Sequence, residues 1–141
     1  MNIVIGADHG GYALKGLIGS WLKSQGHKVI DVGCDSIASV DYPDYAQKAV
    51  DEISSGSSEF GILVCGTGIG MSIAANRHHN IRAANCFDEN TAALSREHNN
   101  ANILCLGARV LDDDKALNIV RVWLETSFAG GRHLTRIEKF S

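Results

Sequence analysis

The feature that most limits the fold of this chain is a regular alternation of short apolar runs with amphipathic stretches. Residues 3–5, 29–33, 60–65, 81–86 and 102–107 read as buried strands. Between the first two runs, Leu14, Leu17, Ile18, Trp21 and Leu22 recur at helical spacing, and Gly26 is a suitable stop. Pro43 stands where the next helix begins, with Ala46, Ala49, Val50 and Ile53 as its apolar stripe. A helix over residues 69–77 follows the third run, and Asp88 caps another that continues to Arg96. Asp112, Asp113 and Asp114 open the last long helix, where carboxylates complement the macrodipole. Ser54-Ser55-Gly56-Ser57-Ser58 resembles a linker, but the alternation continues on both sides and makes it a surface loop. Five βα units in series imply an α/β fold, a Rossmann-like three-layer sandwich around a five-stranded parallel sheet. All 141 residues then form one domain, with a basic tail over 130–141 that ends in a short helix.

Composition removes several classes of function. The formal charge is −3 and the pI about 6.0, without the basic field of a general nucleic-acid binder. No apolar run approaches the roughly 20 residues of a membrane span. The N-terminus enters a strand at once and shows no secretory pattern. The four cysteines, Cys34, Cys65, Cys86 and Cys105, are widely spaced with no CxxC among them. That spacing fits a reduced, cytoplasmic protein better than a disulfide scaffold, and no Cys/His group has zinc-ligand spacing.

In parallel sheets ligands bind beyond the carboxyl ends of the strands, and the unusual residues of this chain collect there. Asp8 and His9 follow the first run, Arg109 follows the fifth, and Cys65 ends the third directly before Gly66-Thr67-Gly68-Ile69-Gly70. The glycine spacing is neither the dinucleotide fingerprint nor a P-loop. Met71 stands where a cysteine phosphatase would carry arginine. The loop therefore suits a small anion or a developing oxyanion, with helix N-terminal amides aimed at it. A cysteine before a helix N-terminus occupies a position that favours the thiolate, and Thr67 is near enough in sequence to hydrogen-bond the sulfur or a substrate hydroxyl. Cys86 and Cys105 read instead as buried hydrophobes. His98, ending the fourth helix, fits a general acid or a cation answering the helix dipole. In Gly130-Gly131-Arg132-His133-Leu134-Thr135-Arg136 the two arginines stand at i and i+4, so a helix would let both grip one phosphate.

Together these segments resemble the ribose-5-phosphate isomerase B family of cysteine-using sugar-phosphate isomerases. The resemblance rests on Gly6-Ala7-Asp8-His9-Gly10-Gly11, Asp41-Tyr42-Pro43, Cys65 to Gly70, His98-Asn99-Asn100-Ala101-Asn102, Gly107-Ala108-Arg109 and the Gly130–Arg136 tail. It implies a cytoplasmic enzyme of the pentose phosphate pathway that interconverts ribose 5-phosphate and ribulose 5-phosphate without metal or cofactor. Cys65 would be the proton acceptor and His98 the donor that assists ring opening, with Thr67 and Asp8 also in the catalytic set. Asp8, His9, Gly66, Thr67, Gly68, Ile69, Gly70, Asn99, Arg109, Arg132 and Arg136 would contact the sugar phosphate. It further implies a homodimer or homotetramer with sites shared between subunits. A hexose 6-phosphate such as allose 6-phosphate is the near alternative substrate, and a non-catalytic sugar-phosphate sensor is the alternative from another class.

Overall fold

A computed structural model describes residues 1–141. Five parallel strands, β1 (Asn2–Ala7), β2 (Lys28–Asp31), β3 (Phe60–Cys65), β4 (Ala83–Asn85) and β5 (Ile103–Gly107), pair in the order β2-β1-β3-β5-β4. The helices are α1 (Tyr12–Ser24), α2 (Tyr42–Ser54), α3 (Ile69–Ala75), α4 (Glu89–Glu97), α5 (Asp113–Glu125) and α6 (Arg132–Glu138). The expected three-layer sandwich is the observed one. Strand order could not be read from the sequence, and it places a topological switch between β1 and β3, the crevice where such sheets take ligands.

Side-chain alternation along the strands builds two cores, one on each face of the sheet. Ile3, Ile5, Ile62, Val64, Leu104 and Leu106 join the larger core, with Leu14, Ile18 and Leu22 of α1, Ala92 of α4 and Ile119 and Trp123 of α5. Val4, Leu63, Cys65, Ile103 and Cys105 face the opposite way, onto Ala46, Ala49 and Val50 of α2 and Met71 and Ala75 of α3. The period of two thus decides that the Cys65 side chain projects toward the α2/α3 layer.

The element boundaries differ from the sequence reading where side chains replace backbone partners. β4 is three residues long rather than the expected six because it is an edge strand clasped by an amide. Asn76 Oδ1 accepts from Ala83 N at 2.8 Å and its Nδ2 donates to Ala83 O at 2.8 Å, in place of a neighbouring strand. The same clasp makes Asn76 the C-cap, so α3 ends at Ala75 instead of continuing to residue 77. Asn102 similarly spans a chain crossing, accepting from Arg82 N at 2.8 Å and donating to Asn80 O at 2.9 Å, and stands before β5 rather than in it. Asp31 closes β2 early by turning its carboxylate onto Gly33 N at 2.9 Å. Asp88 and Asp112 cap α4 and α5 as the sequence predicts, accepting from Thr91 N at 2.7 Å and Lys115 N at 2.8 Å.

Trp123 anchors the larger core. It is fully buried, meets Phe60 edge-on at 5.2 Å, lies under the Arg96 guanidinium, and donates from its indole to Ser95 Oγ at 3.1 Å. Trp123→Ala would open a cavity and remove the donor to that hydroxyl, which keeps its own bond to Ala92 O at 2.8 Å. A loss of about 3–5 kcal/mol is expected in chemical denaturation.

Candidate active site

The residues gathered over the switch point come from three strand ends. β3 pairs with β1 through Ala7↔Val64 and with β5 through Cys65↔Gly107, which brings the turns after all three strands to one level. Asp8 is buried at 7% exposure, and its Oδ1 accepts from Gly10 N at 2.9 Å and Gly11 N at 3.2 Å. This carboxylate shapes the first βα turn and leaves Oδ2 without a protein donor. Gly11 is required there, since a Cβ would stand 2.5 Å from Val64 O.

Cys65 is buried at 5% exposure, and Gly68 N donates to its sulfur at 3.1 Å. An amide aimed at sulfur is a contact that a thiolate makes more strongly than a thiol. Gly68 sits at φ +82°, and a Cβ on it would collide with Asn85 Oδ1, so glycine is needed both for the turn and for the approach. Thr67 does not reach the sulfur: its Oγ1 accepts from Ile69 N at 3.2 Å, and its hydroxyl proton remains free to donate. Ile69 and Gly70 open α3, and the Tyr42 ring lies 2.6 Å from where a Gly70 Cβ would be. Tyr42, which sequence reasoning used only as part of a motif, thereby closes one wall.

Arg109 arrives from the β5 turn, tied by its N–H to Gly66 O at 2.9 Å. Its guanidinium lies across the glycines, with Nη1 2.8 Å from a Cβ position on Gly66 and Nη2 3.5 Å from one on Gly10. None of the three ion pairs of the chain involves it. It is an uncommitted cation directly above the Asp8–Cys65 crevice. His9 is oriented by a different route: Val40 N donates to its Nδ1 at 3.2 Å, which makes Nε2 the protonated nitrogen of the neutral ring. The loop carrying Val40 starts from an ion pair between buried Lys15 and half-exposed Asp31, in which Lys15 Nζ donates to Asp31 Oδ2 at 2.8 Å and also to Cys34 O at 3.1 Å. Burial holds the Cys105 thiol well above the ordinary cysteine range, consistent with an inert core residue.

The remaining predicted site residues are at the other end of the sheet. α4 runs back along β5, so His98 and Asn99 follow its C-terminus, before the start of β5. Arg96, two residues earlier, lies over Phe60 at 4.6 Å, and Phe60 begins the strand that Cys65 ends. Five strand steps of ~3.3 Å separate those two ends by about 17 Å, against about 3 Å for a proton-transfer contact. α6 belongs to the same distant end: Ala129 N donates to Glu97 O at 3.0 Å, and the His98 and His133 rings stack at 4.3 Å and 11°. Arg132 and Arg136 are exposed on either side of buried His133 and enter no ion pair. One chain therefore brings together Asp8, His9, Gly66, Thr67, Gly68, Ile69, Gly70, Cys65 and Arg109, and separately His98, Asn99, Arg132 and Arg136.

Apolar surface borders both groups. Near the thiol, a hollow of about 210 Å³ is lined by Thr67, Ile69, Phe87 and Val110, and the last three side chains are 55%, 59% and 60% exposed. At the distant end a cleft of about 470 Å³ lies among His78, Arg82, Asn99 and Phe140.

Comparison with known proteins agrees with this arrangement of elements. Ribose-5-phosphate isomerase B of Escherichia coli is 44% identical over 137 residues, 97% of this chain and 92% of that protein. The solved structure of ribose-5-phosphate isomerase B from Clostridium thermocellum superposes with a TM-score of 0.98 at 53% identity, covering 99% of this chain and 94% of that one. That of the Mycoplasma genitalium enzyme with bound ribulose 5-phosphate gives a TM-score of 0.94 at 44% identity, covering 98% and 92%. The sequence model of the Ribose/Galactose Isomerase family matches residues 3–140, and the chain is a member of that family of sugar-phosphate isomerases.

Proposed function

We propose that this isomerase interconverts ribose 5-phosphate and ribulose 5-phosphate, with Cys65 as the base that moves the proton between C1 and C2. The observation that carries the reading is the thiol at the β3 terminus, held by the Gly68 amide beside Asp8 and under Arg109. The relatives named for this reaction support it, as does the bound ribulose 5-phosphate of the Mycoplasma genitalium structure.

The chemistry follows from what each group offers. In the furanose form of the aldose, the C1–O4 bond breaks as O4 receives a proton from His98, and the O1 hydroxyl gives its proton to water, from which His98 is reprotonated, leaving the open aldehyde. The Cys65 thiolate then takes the proton from C2, and the electron pair moves through C1 onto O1 as a cis-enediolate. Backbone N–H groups of the Gly66–Gly70 loop and the Thr67 hydroxyl answer that charge, a kind of contact in which one lost donor costs about 2.7–4 kcal/mol. The thiol returns its proton to C1, and Asp8 relays the proton between O1 and O2. Arg132 and Arg136 clamp the phosphate, so binding energy distant from the reacting carbons holds C2 under the sulfur.

Cys65 and His98 lie too far apart in one chain to serve one sugar, so the reading needs a second copy. In a two-fold dimer the thiol end of one protomer faces the His98–α6 end of its partner, and the symmetry makes two such sites. Exposed Ile69, Ile73, Phe87 and Val110 at one end, and Leu134 and Phe140 at the other, supply apolar surface for that contact. Cytoplasmic residence accords with four free cysteines.

Three measurements check this. In a coupled isomerase assay, Cys65→Ala should fold normally and lose about 10²–10⁴-fold in kcat; near-normal turnover would remove the thiol from the mechanism. Arg136→Ala should raise KM by about 10–100-fold with kcat little changed, the usual effect of losing a hydrogen bond to a charged group, and an unchanged KM would exclude it from the phosphate clamp. Unfolding and refolding an equal mixture of inactive Cys65→Ala and His98→Ala should recover about a quarter of wild-type activity, because each mixed dimer contains one intact site. No recovery would refute shared sites. The same assay with allose 6-phosphate decides between pentose and hexose, by which substrate has the higher kcat/KM.

A further inference from the structure

Two cations are offered to the phosphate by α6, but a third side chain of that helix, His133, has no part in the chemistry above. It is buried at 8% exposure between exposed Arg132 and Arg136, and its ring lies parallel to that of His98, with centroids 4.3 Å apart and an 11° angle between planes. His98 itself has little else to orient it. It is the C-cap of α4, and no hydrogen bond within the chain engages either of its ring nitrogens. Both of its side-chain torsions would otherwise be free. Its stacking partner, by contrast, is well anchored. Ile137 buries the next turn of α6, and the chain entering α6 is pinned by Ala129 N–H on Glu97 O at 3.0 Å.

We propose that His133 is a positioning residue, whose ring is the flat face that holds the His98 imidazole in the orientation needed to protonate the sugar ring oxygen. The proposal rests on the reading of His98 as the ring-opening acid. Electrostatics act in the same direction. Burial pushes His133 below the ordinary histidine range, the charges of His98, Arg132 and Arg136 lower it further, and Glu97 opposes them. The other charge nearby, Arg96 on α4, is committed to Ala101 O at 2.6 Å and Asn100 Oδ1 at 3.0 Å. Of two stacked imidazoles, only one can carry a proton without facing another cation at close range, and the buried ring beside two arginines is the one that stays neutral. A neutral ring also presents an attractive π face to an imidazolium. Since Arg132, His133 and Arg136 share one short helix, the phosphate clamp and the ring-opening acid are held in a fixed spatial relation.

A comparison of two reactions tests this. Ribose 5-phosphate is a closed furanose and must be opened before it can isomerise. Ribulose 5-phosphate cannot close, because its O5 carries the phosphate, so exchange of its C1 proton with deuterated solvent needs Cys65 but no ring-opening acid. His133→Ala is expected to lower kcat on ribose 5-phosphate by about 10–100-fold, leaving KM and the exchange from ribulose 5-phosphate close to wild type. His133→Phe, which keeps a flat ring without nitrogen, is expected to restore turnover, and His133→Gln, polar but without a ring, is not. Equal losses in both reactions, failure of His133→Phe to rescue, or a raised KM in His133→Phe (the mark of a phosphate ligand) would each overturn the proposal. Should His133→Ala fail to fold, the contrast between His133→Phe and His133→Gln decides alone. Proton NMR gives a readout independent of turnover: the upfield ring-current shift of His98 Hε1 should persist in His133→Phe and vanish in His133→Gln. Loss of that shift without loss of ring opening would also refute the role. A wild-type chain inactive on both pentose and hexose phosphates would instead overturn the functional reading, and the proposal with it.

Discussion

The parallel pairing of β3 between β1 and β5 is the constraint on which the rest of the molecule depends. It levels three strand ends, so that Asp8, Cys65 and Arg109 reach one crevice from turns more than forty residues apart in sequence. It also sets the close approaches that exclude side chains. A Cβ on Gly11 would meet the Val64 carbonyl at 2.5 Å, and one on Gly107 would meet the Thr67 carbonyl at 2.6 Å. These glycines are packing requirements of the strand ends before they are features of a ligand site. Three backbones that approach this closely leave the loop amides converging on a small volume, the geometry that the proposed enediolate would use.

The same pairing separates the two chemistries. A helix that follows a parallel strand returns the chain to the amino-terminal end of the sheet, so the α4 terminus must end far from the thiol. The groups proposed for proton abstraction and for ring opening therefore stand at opposite ends of each chain, and the proposed dimer brings them together. This division has a physical consequence. The thiol end is rigid, fixed by sheet register and glycine contacts, while the acid end depends on a short helix and a ring stack. Apolar side chains left exposed at both ends, Ile69 and Phe87 at one and Phe140 at the other, are what a protomer that completes its site through a partner would present.

Much of this was legible in the sequence, because apolar periodicity and caps are local properties. The five strands, the caps at Asp88 and Asp112 and the place of Cys65 ahead of its glycine loop follow from residues a few positions apart. Boundaries were less legible wherever a side chain replaced a backbone partner from elsewhere. Asn76 shortened both α3 and β4 by bonding across seven residues, and no propensity encodes that contact. Thr67 was expected to bond either the sulfur or a substrate hydroxyl; the positive φ of Gly68 turns that residue's own amide onto the sulfur, and the Thr67 hydroxyl keeps a free proton.

The sequence by itself determined the class of fold, the residue types of the site and the family motifs, since each is written in short-range pattern. Only the tertiary structure decided strand order, the face toward which Cys65 projects, the capture of His9 by Val40, and the stacking of His133 on His98. Those depend on which segments meet, and segments meet through packing of whole layers rather than through any local preference. The separation of Cys65 from His98 is the clearest case. Their residue types mark both as chemical groups, and only the direction of the helix between them places them at opposite ends of the sheet.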